Sequence, residues 1–418
     1  MNAPSPASDK SKWQQLLLLA VIQWLAMTLW FSASAVNGPL KKTWELSSGA
    51  EAWLTISVQL GFVIGALVSA VFNLADRISP PRLVAVCSLL GAALNAAIPL
   101  LISDELGKTD AGFLAVVLVR MATGVMLAGV YPPGMKLMAT WFLRSRGLAI
   151  GVLVGALTIG SASPHLFKAI GNPEQWRTVM LVSSACAIAA AVLSATVART
   201  GPHLPKAARF DWTYFARIWR DEAVRRANFG YLGHMFELYA MWAWAPVLVA
   251  QSLQKAGYTP TAEALAGFAL VAAGGAGCVL AGLWADRIGR TYTTIASLIV
   301  SGSCALIAGS LFSQPLLLVA VCIVWGFAVV ADSAQFSTAV SELCDPQYVG
   351  TALTIQTCTG FLLTTLTIRA VPAVLETTSQ PNWPLATALL ALGPLFGIYH
   401  MALLRQLRAA EKMAGGMR

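Results

Sequence analysis

Hydrophobic residues in this chain are gathered into twelve runs of about 20 residues, which short polar segments separate. At a rise of about 1.5 Å per residue, a helix of that length crosses the roughly 30 Å hydrocarbon core of a bilayer. The runs occupy residues 14–36, 52–74, 83–102, 112–135, 147–167, 178–197, 228–253, 264–284, 293–312, 315–340, 349–370 and 384–404. The pattern predicts an all-α integral membrane protein with twelve transmembrane helices.

Composition supports this interpretation and excludes several others. Hydrophobic residues make up 57% of the chain and charged residues only 11%, whereas about a quarter of a soluble domain is charged. The seven cysteines show no Cys-x-x-Cys spacing, so neither a zinc site nor a disulfide framework is indicated. The first apolar run is too long for a signal peptide, and we expect an uncleaved first span.

The distribution of positive charge predicts the orientation in the membrane. If the N-terminus is cytoplasmic, 20 of the 28 Lys and Arg residues lie on cytoplasmic segments, as the positive-inside rule requires. We therefore expect a multi-pass protein of the cytoplasmic membrane with both termini in the cytoplasm. The basic segment between the two halves of the chain is explained by topology and anionic lipid, and we expect no nucleic-acid partner.

An internal repeat divides the chain into two similar halves. The tetrapeptide Ala-Asp-Arg-Ile at 75–78, after the second run, recurs at 285–288, after the eighth. The repeat predicts an N-terminal six-helix bundle at 1–198, a cytoplasmic linker at 199–227 and a C-terminal six-helix bundle at 228–418. Parallel halves of this kind leave a substrate site between them near the middle of the membrane.

The segment Gly-Leu-Trp-Ala-Asp-Arg-Ile-Gly-Arg at 282–290 resembles the loop signature of the major facilitator superfamily, and the resemblance extends over nearly the whole chain. It implies two pseudo-symmetric six-helix bundles that transport a solute by alternating access. It also implies gating loops in which arginines pair across the interface between the halves. Their residues would be Asp76, Arg77, Asp286, Arg287 and Arg290. The first copy departs from the signature, with Asn73 where glycine is expected and Ser-Pro-Pro at 79–81.

A second resemblance is to the organic-anion and nitrate-type members of that superfamily. It rests on Arg120, Gly124, Gly129, Tyr131 and Pro132, with Arg-Gly-Leu-Ala-Ile-Gly at 146–151. An unpaired charge inside a span costs about 2.5–3.5 kcal/mol on insertion scales, so Arg120 should face a partner or a wet cavity. Nitrate itself is not favoured, because the resemblance implies an arginine in the second and eighth spans of a nitrate transporter, and runs 52–74 and 264–284 contain none. Run 147–167 lacks the Gly-Pro pair of drug antiporters, which ranks drug export lower.

Polar residues inside the apolar runs recur in runs four, seven and ten, which the resemblance implies are the helices that line the cavity. His234 and Glu237 are three residues apart and should project from one helix face, where they can interact. Metal binding is not expected, because no further residue offers matching ligand spacing. The candidate substrate-binding or coupling residues are Gln23, Arg120, Tyr131, His234, Glu237, Trp242, Asp332 and Gln335.

These observations predict a secondary active transporter of a small organic solute, favour an organic anion, and point to proton-coupled symport through Glu237 or Asp332. An exporter of cationic or hydrophobic compounds remains the alternative, since the expected cavity contains two carboxylates, Glu237 and Asp332, and one arginine, Arg120. An enzyme is not expected, because neither a His-Glu-x-x-His nor a Gly-x-Ser-x-Gly motif is present. The predicted partners are the solute, protons and the lipid bilayer, without a cofactor.

Overall fold

The computed structural model describes residues 6–142, 146–172, 175–203, 211, 214–377 and 381–418. All regular secondary structure in these residues is helical. The N-terminal half contains helices α1 (Pro6–Met27), α2 (Ser48–Val71), α3 (Pro80–Leu101), α4 (Asp110–Ala128, continued as Tyr131–Ala139), α5 (Arg146–Ile170) and α6 (Trp176–Thr196). Short helices at Asn37–Trp44, Leu74–Arg77 and Asp104–Gly107 lie between them.

The C-terminal half repeats this arrangement. It contains α7 (Glu222–Lys255), α8 (Pro260–Ile288), α9 (Arg290–Ala308), α10 (Pro315–Ala331, continued as Ser333–Leu343), α11 (Val349–Leu375) and α12 (Trp383–Leu390, continued as Leu392–Gln406). A 3-10 segment, Arg408–Gly416, follows. Within the predicted linker, Tyr214–Arg220 is helical, while residues 204–210 and 212–213 lie outside the described residues.

Ten of the described helices are long and apolar enough to cross a membrane. The other two of the predicted twelve, α1 and α7, carry more polar sequence, and both pack inside their own half: α1 against α5 and α6, and α7 against α11 and α12. The twelve-helix architecture and the multi-pass membrane character predicted from the sequence are confirmed.

Several spans that the sequence predicts as continuous are interrupted in the structure. The first run leaves helical geometry at 28–33, and α4 is interrupted at Gly129 and Val130. The second segment of α4 begins with Tyr131, Pro132 and Pro133, and prolines cannot donate the backbone hydrogen bonds that would continue the first segment. Hydropathy reports only the length of an apolar run, so these interruptions are invisible to it.

The two halves meet along two helix pairs, α5 with α8 and α2 with α11. Glycines allow the first pair to approach closely: a Cβ atom on Gly155 would lie 2.9 Å from the Gly275 carbonyl oxygen, and one on Gly151 would lie 3.0 Å from that of Cys278. In the second pair, Cys358 Sγ of α11 lies 3.9 Å from the Val63 carbonyl of α2. The interface is therefore built largely from apolar and small residues.

Glycine is also required where α2 crosses α4 inside the N-terminal half. A Cβ atom on Gly61 would clash with the Met121 carbonyl oxygen, and one on Gly124 would clash with the Val58 carbonyl oxygen. These obstacles are backbone atoms of a packed helix, so they cannot rotate away as a side chain would. The two helices can therefore cross at this distance only because Gly61 and Gly124 have no side chain.

We expect Gly61→Ala to lower the free energy of unfolding by about 1–3 kcal/mol or more, because the added methyl group forces α2 away from α4. Gly350→Ala is the matched control, since nothing lies within 4 Å of a Cβ atom built on that glycine. Thermal unfolding of the purified variants in detergent measures both. Equal melting temperatures for the two variants would show that the crossing adapts without strain.

Candidate functional site

Arg120 lies completely buried in α4, and its guanidinium is directed at backbone carbonyls. It donates from Nε to the Leu54 carbonyl (3.3 Å), from Nη1 to that of Leu29 (3.0 Å) and from Nη2 to that of Trp30 (2.6 Å). Leu29 and Trp30 belong to the interruption at 28–33, where the Leu29 carbonyl also accepts from the Ser32 amide (3.5 Å) and from Ser32 Oγ (3.0 Å). The arginine therefore supplies a donor to the Trp30 carbonyl and adds a further donor to the Leu29 carbonyl.

The Arg120 network extends to two further helices, α3 and α6. Nη1 also reaches Ser32 Oγ (3.1 Å) and Asn95 Oδ1 (3.3 Å). Asn95 in α3 donates its own amide hydrogens to the Met180 carbonyl and to Ser184 Oγ in α6, both at 2.9 Å. All partners of the guanidinium are neutral and belong to the N-terminal half. The structure thus places Arg120 inside one half, with its donors engaged there.

We expect Arg120→Lys to lower the free energy of unfolding by about 2–3 kcal/mol, because an ammonium group cannot reach acceptors at 28–33, on α2 and on α3 in the planar arrangement that guanidinium provides. Arg77→Lys is the control, since the Arg77 side chain is exposed. Thermal melting compares the two. An unchanged melting temperature with weakened solute binding would instead assign Arg120 to the substrate.

Glu237 is completely buried in α7 and is held by two neutral donors of its own half. Trp325 Nε1 of α10 donates to Oε1 at 2.6 Å, and Ser301 Oγ of α9 donates to Oε2 at 2.8 Å. No basic residue is among these partners. A carboxylate buried in this way depends on hydrogen bonds alone for its stabilisation when it is ionised.

His234, one turn before Glu237, is paired with a different carboxylate. Its Nδ1 lies 2.8 Å from Asp332 Oδ1, and both side chains are 1% exposed. Asp332 sits at the interruption of α10, between Ala331 and Ser333. The expected interaction between His234 and Glu237 is therefore replaced by two separate sites. The reason is that α9 and α10 offer each residue its own partner.

The remaining predicted cavity residues are placed as follows. Gln335 accepts a hydrogen bond from Arg290 Nη1 at 2.9 Å and so belongs to the α8–α9 loop network. Gln23 is buried against α4, where a Cβ atom on Gly134 would lie 2.9 Å from its Oε1. Tyr131 is partly buried at the start of the second segment of α4.

Trp242 belongs to a cluster of aromatic rings that crosses between the two halves near the middle of their helices. Trp30 lies 5.7 Å from Tyr239 and 5.6 Å from Phe361 between ring centroids. Phe31 lies 5.7 Å from Trp242. We call this set the interface rings. They are Trp30, Phe31 and Phe62 of the N-terminal half and Tyr239, Trp242 and Phe361 of the C-terminal half.

The predicted gating loop of the C-terminal half is held within that half. Arg290 Nε and Nη2 each donate to a carboxylate oxygen of Glu342 at 2.7 Å, and its Nη1 lies 3.7 Å from Asp286. Arg287 is exposed. The expectation that Arg290 pairs across the interface is corrected: Glu342 ends α10 beside the start of α9 and so offers a nearer bidentate partner. Arg77 is exposed, and the Asp76 side chain lies outside the described residues.

The segment that follows α12 also docks on this loop. The Ala414 amide donates to Glu342 Oε2 at 3.1 Å, and the Arg418 carbonyl accepts from the Thr291 amide at 3.2 Å. Gly289 has a φ of 94°, which favours glycine, and a Cβ atom there would clash with the carbonyl oxygens of Met417 and Arg418. The loop, α10 and the last residues of the chain therefore form one hydrogen-bonded unit.

Sequence reasoning missed several of these partners. Asn95 is the only amide side chain in α3, and its isolation in an apolar run could have marked it as a partner for Arg120. Glu342 is the only acid in the second segment of α10, which could have marked it as a partner for a loop arginine. Trp325 and Ser301 gave no comparable signal, because tryptophan and serine are common in spans that have only packing roles.

We expect Arg290→Gln to lower the free energy of unfolding by roughly 3 kcal/mol, because it leaves the Glu342 carboxylate without its cation. Arg287→Gln, which removes an exposed arginine three residues earlier, is the matched control and should have little effect. The double variant Arg290→Gln/Glu342→Gln should regain part of the loss, as a double-mutant cycle of melting curves would show. Additive losses would mean that the pair is not coupled.

The geometry is that of a polytopic helical protein whose two similar halves each bury charged groups beside an interrupted helix. The family model of the Major Facilitator Superfamily matches residues 19–368. The chain belongs to this superfamily of membrane transporters, and it is a transporter rather than an enzyme. The organic-anion and nitrate-type branch within the superfamily stays a prediction.

Solved structures with the same fold include the nucleoside transporter NupG, represented by a mutant that shares 16% identity at a TM-score of 0.67. That match covers 93% of this chain and 99% of the other. A bacterial homologue of the human lysosomal transporter Spinster, inward-facing and unoccupied, shares 16% identity over 98% of each chain at a TM-score of 0.67. At this identity the likeness shows the fold alone. A comparison with curated protein sequences finds no match.

Proposed function

We propose that this protein is a secondary active transporter that moves a small organic solute across the cytoplasmic membrane, coupled to protons through Glu237. The observation that carries the proposal is the environment of this carboxylate. It is completely buried in a helix that contacts the other half, and among the described residues its hydrogen-bond partners are Trp325 and Ser301. Proton binding at such a group depends on whether water reaches it, which differs between inward-open and outward-open states.

The pair formed by His234 and Asp332 is the second titratable unit of the proposed coupling mechanism. It lies on the same two helices, α7 and α10, and it is equally buried. The two side chains lie 2.8 Å apart, so Asp332 has a close basic partner that Glu237 lacks. We assign the primary coupling role to Glu237 because it lacks a titratable partner of this kind.

Alternating access in this proposal is a rocking of residues 1–198 against 228–418 about the α2–α11 and α5–α8 contacts, with the linker 199–227 and both termini in the cytoplasm. Two observations support it. The charged networks of Arg120, Glu237 and Arg290 are each contained in one half, so they survive the motion unchanged. The contacts that must change are those between aromatic rings and small residues at the interface. Separating them costs less free energy than separating ion pairs.

The solute classes predicted from the sequence each require a charged side chain that is free to bind the solute. An organic anion would use Arg120, whereas an exported cation would use Glu237 or Asp332. NupG is a nucleoside transporter by its title, and the Spinster homologue is related to a lysosomal transporter, so the solved neighbours do not share one named solute. The transport proposal therefore stands on the coupling site and does not require either charged class.

Glu237→Gln should retain solute binding and counterflow exchange but lose accumulation driven by a proton gradient, because glutamine resembles the protonated acid and cannot release a proton. The assay uses proteoliposomes and any solute that stabilises the purified protein in a thermal-shift screen. Glu51→Gln is the matched control, since Glu51 is also a buried carboxylate but pairs with Lys41 in the N-terminal half.

Concentrative uptake by Glu237→Gln would place the proton site elsewhere, and Asp332→Asn would then be the next variant to assay. Loss of exchange as well as accumulation would show that Glu237 takes part in solute binding or folding. A loss of accumulation in both Glu237→Gln and Glu51→Gln would mean that the assay reports general destabilisation.

A further inference from the structure

In the part of the chain that the structure describes, the partners of Arg120, Glu237 and Asp332 each lie in the same half as the charge. Arg120 donates to carbonyls and amides of the N-terminal half. Glu237 accepts from two donors of the C-terminal half, and Asp332 lies against His234 of the same half. None of these partners lies across the interface. A solute that enters between the halves would have to break an existing network to reach Arg120 or Glu237, whereas Asp332 Oδ2 and His234 Nε2 have no hydrogen-bond partner among the described residues.

Three neutral side chains near the interface also carry polar atoms that have no partner in the described structure. The indole Nε1 atoms of Trp30 and Trp242 and both amide atoms of Gln59 are unpaired, although these side chains are at most 2% exposed. Gln59 lies one turn before Phe62 and Val63, which contact α11, so it shares their helix face. Buried donors and acceptors without partners are rare in proteins, and each costs roughly 1–3 kcal/mol.

We propose that the surface formed by the interface rings and Gln59 is the solute-binding site, and that its ligand is an uncharged, planar heteroaromatic or aromatic amide. This inference rests on the proposed transport function. When the halves separate, a flat solute can replace the contacts between rings, because aromatic faces stack on one another at similar spacing. The two indole N–H groups donate to its acceptors. The Gln59 amide matches a group that both donates and accepts.

The same chemistry discriminates against charged relatives of such a ligand. A carboxylate or quaternary ammonium group moved to this surface would lose its hydration without gaining a free counter-charge. The two indole donors favour acceptors, but two neutral hydrogen bonds offset only part of the desolvation of an ion. The site therefore selects for neutral charge rather than for one sign of charge.

The test uses three ligands of nearly the same shape: nicotinamide is neutral, nicotinate is an anion and 1-methylnicotinamide is a cation. Uracil and orotate, its carboxylated form, make a second matched pair, and mannitol is a neutral ligand without a ring. Binding to the full-length purified protein is measured by thermal shift and by isothermal titration calorimetry. We expect nicotinamide or uracil to bind, and their charged relatives and mannitol to bind at least tenfold more weakly. A tenfold change in affinity is about the cost of one buried polar group left without a partner.

Variants then locate the site. Gln59→Leu removes an unpaired amide and keeps nearly the same shape, while Trp242→Phe removes the unpaired indole N–H and keeps an aromatic ring. Each should weaken binding of the neutral ligand by about tenfold. Trp44→Phe is the matched control. Trp44 is 2% exposed and has an unpaired Nε1, but its ring contacts Trp176 within the N-terminal half, away from the interface rings. It should leave the affinity within about twofold.

Several results would overturn the inference. Tighter binding of the anion or the cation would reject the neutral class, and a loss of that binding in Arg120→Lys or Glu237→Gln would return the site to the charged residues. Binding of no planar neutral ligand, or equal binding in all variants, would reject the site. The transport proposal is judged separately, because proton-driven accumulation of a charged solute would support it while this inference failed.

Discussion

Inside the hydrocarbon core no water is available to hydrogen-bond a carbonyl group that a helix interruption has released, so the protein must supply the partner itself. Arg120 meets this constraint for the interruption at 28–33, with contacts to the carbonyls of Leu29 and Trp30. Its position in turn fixes Asn95, and through Asn95 the packing of α3 on α6. The interruption then presents Trp30 and Phe31 to the opposite half, where the interface rings meet.

The fold was largely predictable from the sequence because length and polarity of apolar runs are the quantities that a bilayer selects. The runs 52–74 and 264–284 correspond to α2 and α8, and the repeated Ala-Asp-Arg-Ile follows α2 and forms the last residues of α8. The family follows from the same observations. The interruptions of α4 and α10 were not predictable, since a hydropathy pattern records which residues are apolar and not where a helix loses its hydrogen bonds.

The candidate site was predicted only in part. The sequence placed His234, Glu237 and Asp332 on interior helices, where the structure has them, but it could not assign their partners. Ser301 is 64 residues from Glu237, and Trp325 is 88. Such pairings depend on the lateral order of helices. The same limit applies to Arg120 and Arg290: a charge in an apolar run indicates that a partner exists, while its identity depends on which helices are neighbours.

The confinement of the Arg120 network to one half has a consequence for biosynthesis. Every partner of the guanidinium lies earlier in the chain than α4, and Met180 and Ser184 complete the network before the linker begins. Domains form in order as the ribosome elongates the chain. The first bundle can thus bury its most expensive charge before any helix of the second has entered the translocon, so the nascent chain need not expose an unsatisfied arginine to lipid while it waits.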